Sequence, residues 1–266
     1  MTRNEKKMND IINIQLEREH FIYMRNELID RMEYKLNKQH LLLLRYLIKN
    51  IQKNDAADKL YSITISNFCK VMNIKPSGYN YGSVKKAFGI IDNETQWIES
   101  DEDVTRVKWF DELKIKKKTG TIVYSFHKSI APYLFDLVNS EDGYTKYKYD
   151  DIIVMDTKYG VRLYEFLREH HNQQHKVVNI SLDTIKTILG GKNYKTYKDF
   201  RRFVLDKAID EVNKYSFIRV SGEGRARKGE RAFSYVRFIL DEVEYDSVEY
   251  WVTDEIQRNK LGLPTL

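Results

Sequence analysis

The order of elements between Ser181 and Leu240 constrains this chain more than any other feature. Ser181 is placed to cap a short helix, Leu182 to Leu189, and Gly190-Gly191 ends it. A longer amphipathic helix is read from Tyr194 to Tyr215. Two strands follow, Phe217 to Val220 and Phe233 to Leu240, joined by the loop Ser221 to Ala232. Ahead of this run lie a helix that Asp156 caps and that reaches about His171, and a short strand, Val177 to Ile180.

The same order occurs earlier in the chain. Leu41, Leu44, Leu47 and Ile48 recur at helical spacing within Asn37 to Asn50. Tyr61 to Ile65 reads as a strand, and Ser66 as the N-cap of a helix from Asn67 to Met72. Pro76-Ser77-Gly78 is a turn, and Tyr81 to Ile98 is helical in part, with Val84, Phe88 and Ile91 on one face. A hairpin follows, its strands Thr105 to Lys116 and Thr121 to Phe126 meeting at Thr119-Gly120. Ile130 to Val138 reads as a closing helix, and Phe21 to Ile29 as a short strand or turn. Helix–turn–helix followed by a two-stranded hairpin is the pattern of a winged helix. The expected fold is therefore α+β, with two tandem winged-helix domains at 21–145 and 146–241. The boundary is placed in the polar, aromatic stretch Tyr144 to Asp151. A charged segment, 1–20, and an acidic tail, 242–266, flank the two domains.

Charge placement narrows the function. The chain carries a formal net charge of +6. Lys192 to Arg231 holds 12 basic and 6 acidic residues, so this stretch accounts for the whole surplus. Asp241 to Leu266 holds 7 acidic and 2 basic residues. A positive block beside a negative tail is the asymmetry of a phosphate-binding footprint.

Within the block, Phe200, Phe203, Val204 and Ala208 lie on one side of the long helix. Lys195, Lys198 and Arg202 lie near the opposite face, with Arg201 on the flank and Thr196 beside them. A basic face at the N-terminal end of such a helix suits the major groove, where Arg and Lys donate to guanine O6 and N7. The plain alternative is a solvated surface helix. The loop adds Arg219, Arg225, Arg227, Lys228 and Arg231, interleaved with Gly222, Gly224 and Gly229. Arginine at a flexible tip suits phosphate or the minor groove; the alternative is a loop that keeps an edge strand soluble. Of these, Arg225, Arg227, Lys228 and Arg231 are the expected backbone contacts. In the first half, Lys85, Lys86, Lys114, Lys116, Lys117 and Lys118 lie close to many acidic residues, which predicts a weaker DNA reader.

Other chemistries find little support. His170, His171 and His175 cluster at a helix end, but no cysteine or acidic pair completes a metal set, and a solvated cluster is the expected outcome. The run lacks the two histidines flanking one apolar residue that a rolling-circle nickase needs. No Walker-type loop is present, and Gly222-Glu223-Gly224 lies between strands rather than before a helix. No cofactor and no catalytic centre are expected. Cys69 is the only cysteine, no run approaches a membrane span, and the start lacks a signal peptide's apolar core, so the expected location is the cytoplasm.

Three runs carry a family resemblance: Tyr159 to Leu167, Ile180 to Gly190, and Tyr197 to Asn213. They resemble the second domain of the replication initiator proteins of iteron-containing plasmids. Phe233 to Leu240 is similar to that domain's closing strand, and Asn26 to His40 to the entry into the first domain. The resemblance covers most of 22–240 and is stronger in the second half.

It implies two winged-helix domains, the second reading direct repeats in double-stranded DNA and the first adding contacts and dimerisation. It also implies monomers that help open the origin, a homodimer as a regulatory state, host initiator and helicase as partners, and no catalytic centre. Two other readings compete: a winged-helix transcription regulator, and a protein-interaction module whose basic face meets an acidic partner.

Overall fold

A computed structural model describes residues 21–52, 55–71, 78–93, 96–99, 104–135, 137 and 142–242. The charged segment 1–20, the turn at Pro76 and the tail beyond Glu242 lie outside the described residues.

The chain enters through β1 (Phe21–Arg25) and a single turn, α1 (Glu27–Asp30). The helix α2 (Lys38–Ile48) starts at Asn37, whose side chain accepts from the His40 N–H at 2.9 Å. Every residue from Leu41 to Ile48 is buried, so α2 runs through the interior. Next come β2 (Tyr61–Thr64), α3 (Ile65–Val71), α4 (Gly78–Asn93), β5 (Phe110–Lys116) and β6 (Thr121–Phe126). Between α4 and β5 a second hairpin is inserted, β3 (Gln96–Glu99) with β4 (Val104–Val107).

The second half repeats the plan. It comprises α6 (Lys158–Asn172), β8 (Val177–Ser181), α7 (Leu182–Leu189), a helix over residues 197–215, β9 (Ile218–Arg225) and β10 (Tyr235–Glu242). The two three-stranded sheets share one topology. Strand order is β2-β6-β5 in the first and β8-β10-β9 in the second, so in each the last strand lies in the middle. Strand, two helices and a hairpin folded back onto that strand make a winged helix, here twice, as the sequence predicts.

Several local expectations are corrected. Thr64, not Ser66, caps α3, accepting from the Asn67 N–H at 3.1 Å. Thr157, not Asp156, caps α6, accepting from Gly160 N–H at 3.2 Å, while the Asp156 N–H donates to Glu211 at 3.0 Å. The strand read as Thr105 to Lys116 is two strands in two sheets, because buried Trp109 turns inward between them. Among the described residues of Ile130 to Val138, the helical element is a 3-10 turn at Ala131–Tyr133, and Asp136 and Val138 lie outside the described residues. Tyr144 to Asp151, where the domain boundary was placed, forms β7 (Tyr144–Lys148), paired antiparallel with β1, and then opens α5 (Tyr149–Ile153).

One apolar cluster runs through both halves, and inside it sits a charged group. The Glu165 carboxylate of α6 receives Arg45 Nε at 2.6 Å and Nη2 at 3.1 Å, Arg162 Nη1 at 2.6 Å, and the Tyr147 hydroxyl. Arg162 also donates to the carbonyls of Ile188, at 3.2 Å, and Ile29. Both guanidiniums lie over the Tyr34 ring, at 4.9 and 4.4 Å. Burial alone would raise the Glu165 carboxyl, but Arg45 and Arg162 outweigh it and hold it below its usual value. α1, α2, β7 and the C-terminal turn of α7 are thus tied to one side chain.

A second buried pair has the opposite character. Asp30 of α1 and Glu169 of α6 are two buried carboxyls that interact with each other, and burial favours the protonated form of both. Burial raises Asp30 to about 6, and burial together with the Asp30 charge raises Glu169 to about 10. A carboxyl raised on folding contributes stability that is complete below its unfolded value, about 4, and is lost as pH rises. Glu169→Gln keeps the neutral form at every pH. Its melting temperature should gain on the wild type by about 2 °C per pH unit between pH 6 and 9; parallel thermal melts across that range check it.

Candidate nucleic-acid interface

The interface is built on the second helix–turn–helix. Ser181 caps α7, accepting from Thr184 N–H at 3.0 Å, and Gly190 ends it at φ 68°, a left-handed conformation that glycine adopts without a Cβ penalty. Lys186 Nζ donates to the Tyr194 carbonyl at 2.9 Å and fixes the turn. Lys192 donates to Glu33 at 2.8 Å, so this lysine is engaged with the first half.

The long helix differs from the sequence expectation in two respects. It starts at Tyr197, not Tyr194. Thr196 is its N-cap, accepting from the Asp199 N–H at 3.1 Å and donating to the Asp199 carboxylate at 2.7 Å. Lys195 therefore precedes the helix rather than lying on its face. The helix is also not uniform. α8 (Tyr197–Phe200) and α9 (Asp206–Tyr215) are separated by a π turn, Arg201–Leu205, in which the Asp206 N–H donates to the Arg201 carbonyl.

The wider turn has two consequences. Phe200, Val204 and Ala208 stay buried as read, but Phe203 is turned out and is 40% exposed. Arg201 is brought over Asp206, five residues on, and its Nε donates to that carboxylate at 3.1 Å. That hydrogen bond, with the charge behind it, holds the guanidinium more firmly protonated.

The wing is longer than read. Residues 218–225 and 235–242 pair in register, from Arg225 opposite Tyr235 to Ile218 opposite Glu242. Gly222 and Gly224 are thus strand residues, and of the three glycines only Gly229 lies in the tip, at φ 90°. Gly224 has a packing role: a Cβ there would come within 2.5 Å of the Tyr197 ring. Tyr197 also meets Phe233 at 4.7 Å between ring centroids. The first turn of the reading helix and the root of the wing are therefore in contact.

Lys198, Arg201, Arg202, Arg225, Arg227, Lys228 and Arg231 are all exposed on these two elements, as are Lys195 and Thr196 just ahead of the helix. Arg225 contacts Glu223, and the Arg227 N–H donates to Ser234 Oγ at 3.2 Å, shaping the tip. Arg219 is not at the tip: it lies in the strand and donates to the Ser216 carbonyl at 2.7 Å.

Sequence reasoning missed three aromatics here. Tyr194 and Phe203 stack at 5.9 Å, Arg202 lies 5.2 Å from the Phe203 ring, and Phe233 is 50% exposed. Apolar groups beside cations can touch thymine methyls. Phe203 was read with the apolar side of the helix, but it lies within the π turn and is exposed.

The histidines are solvated only in part: His175 is exposed as expected, whereas His170 and His171 are half-buried. His170 packs on Phe166 at 4.4 Å, and burial, with His175 beside it, pushes its imidazole down to about 4. His171 Nδ1 lies 3.1 Å from Arg168 Nη1.

Residues 21–168 match the family described as "Initiator Replication protein, WH1", and residues 181–239 match "Initiator Rep protein, WH2". The chain belongs to the replication initiator protein family. Its relatives include a "Replication initiation protein" of Escherichia coli, 26% identical over 253 residues, covering 92% of this chain and 77% of the relative. A "PI protein" of Escherichia coli is 27% identical over 158 residues, covering 54% of this chain and half of that protein. Among solved structures, the Pi initiator protein in complex with iteron DNA superposes with a TM-score of 0.70. At 19% identity, the match covers 85% of this chain and 99% of that one, and it shows the same two-domain fold.

Two substitutions test how the initiator's reading surface is built. Gly224→Ala forces the Tyr197 ring off the wing and should cost about 1–3 kcal/mol in a denaturant melt, with duplex DNA affinity falling alongside. Asp206→Asn releases Arg201. It should change stability by less than about 1 kcal/mol while narrowing the affinity ratio between repeat and random duplex, as read by competition binding.

Proposed function

We propose that this initiator binds direct repeats in double-stranded DNA at a plasmid origin and promotes opening of the neighbouring AT-rich segment. The observation that carries this reading is the exposure of nine basic or polar residues on a helix and wing held together by the Tyr197–Gly224 contact. Lys195, Thr196, Lys198, Arg201 and Arg202 are assigned to the groove, and Arg225, Arg227, Lys228 and Arg231 to the phosphate backbone. Membership of the initiator family and a relative of like fold solved with iteron DNA support the assignment.

The first domain, 21–145, adds DNA contacts and dimerises; the second, 146–241, is the main reader. Monomers initiate, and a homodimer is the regulatory state. Host initiator and helicase are engaged at the opened origin in the cytoplasm. No covalent chemistry is required: copies bound on phased repeats bend the DNA, and each binding step contributes to unpairing the neighbouring segment.

Binding should be strongly salt-dependent. With about 6–8 phosphates neutralised per monomer, log affinity should fall against log salt with a slope of about −6. Arg202→Ala should cost roughly 1–3 kcal/mol and relax specificity at one base position, whereas Arg225→Ala should weaken all sequences alike. Titrations of repeat and random duplexes at two salt concentrations read both effects. Wild-type binding by both variants would sink the assignment.

A further inference from the structure

The two-stranded sheet far from the reading helix in sequence has an unusual outer face. Its inner residues, Ile22, Met24, Thr145 and Tyr147, are buried, and β7 packs on α6. The outer positions are Phe21, Tyr23 and Arg25 on β1 and Tyr144, Lys146 and Lys148 on β7. The register sets Phe21 opposite Lys148, Tyr23 opposite Lys146, and Arg25 opposite Tyr144. Every outward cross-strand pair is therefore one aromatic and one cation.

The rings form a row. Phe21 and Tyr23 are 6.3 Å apart between centroids, and Tyr23 and Tyr144 are 6.2 Å apart. Lys146 Nζ lies 4.0 Å from the Phe21 centroid and 5.3 Å from that of Tyr23, and Lys148 Nζ lies 5.9 Å from Phe21. Phe21 is 36% and Tyr144 45% exposed, an unfavourable placement for large rings unless something covers them. Among the described residues, acidic groups stand at both ends of the face: Glu27 pairs with Arg25 at 4.0 Å and Asp142 with Arg31 at 3.5 Å, while Asp151 accepts from the Lys148 backbone N–H at 3.1 Å.

We propose that this face is a binding platform for single-stranded nucleic acid, with Phe21, Tyr23 and Tyr144 stacking on bases and Lys146 and Lys148 meeting phosphates. The chemistry selects this occupant over others. A duplex keeps its base faces stacked inside and would leave the rings idle. An acidic peptide would satisfy the lysines but not a row of three rings. The ring spacing is close to twice the ~3.4 Å per nucleotide of a stacked strand, which suits bases already pulled apart. Alternating stacking rings and cations is the general design of sequence-tolerant single-strand binding.

Three rings give modest affinity by themselves. A neighbouring contact on the same DNA would raise it through effective concentration. Use of the platform to hold one strand of the opened origin rests on the function proposed above; the binding itself does not.

The test is fluorescence anisotropy of the full chain with a labelled oligothymidine of about 15 nucleotides, run beside a labelled repeat duplex. Tyr144→Ala and Lys146→Gln should each weaken oligothymidine binding by about fivefold or more and leave duplex binding unchanged. Phe21→Tyr, which keeps the ring, should bind like wild type. Arg202→Ala should show the reverse pattern, so failure of the duplex reading is seen separately. The proposal is overturned if the wild type does not bind oligothymidine, or if both platform variants bind it normally. Equal losses on single strand and duplex also overturn it. So does a fall in sedimentation coefficient in the platform variants, which would mean that a second copy covers the face.

Discussion

The fold depends on one buried carboxylate. Glu165 sits among apolar side chains with two guanidiniums and a phenol directed at it. Taking three charges out of water is expensive, and replacing such a group with packed hydrophobes is often neutral or better for stability. What it supplies is geometry. Arg45 comes from the interior helix of the first half, Tyr147 from the strand that returns to pair with β1, and Arg162 from α6 itself. Through Arg162, the group also reaches the last turn of α7 at the Ile188 carbonyl. Apolar packing tolerates sliding, whereas bidentate pairs do not. The second helix–turn–helix is therefore held at a fixed attitude to the first half.

The reading surface inherits that attitude. α9 packs on α6, and its Glu211 accepts from the N–H groups of Asp156 and Thr157 at the start of α6. From that anchored end, the helix reaches back through the π turn to the contact of Tyr197 with Gly224. The five-residue turn rotates the first part of the helix relative to the last. That rotation frees Phe203 from the core and sets Arg201 over Asp206, so the surface offered to DNA depends on a local departure from α geometry. The groups that face the groove and those that hold the helix lie on one continuous element.

Much of this was legible in the sequence because it is local. Ser181 as a cap and Gly190 as a stop act within one helical turn, and both stand where they were read. The repeated order of elements predicted two winged helices because each element buries one face on its sequence neighbours. Thr157 and Thr64 were misread by one or two positions because several adjacent residues can cap. The π turn at Arg201–Leu205 left no periodic signal, since one widened turn shifts the pattern by a single residue. β7 was not read as a strand because its partner, β1, lies over a hundred residues earlier.

The sequence by itself determined the element types, the double winged-helix plan, the excess of positive charge between Lys192 and Arg231, and the family. Each of these rests on residue spacing, composition or motif. Only the tertiary structure decided which strand completes the sheet beneath Phe21 and Tyr144, which carboxylate gathers Arg45 and Arg162, and which of the basic residues stand free of the fold. Those depend on contacts between residues distant in the chain. A periodic pattern specifies which face of an element is buried, but not what it is buried against.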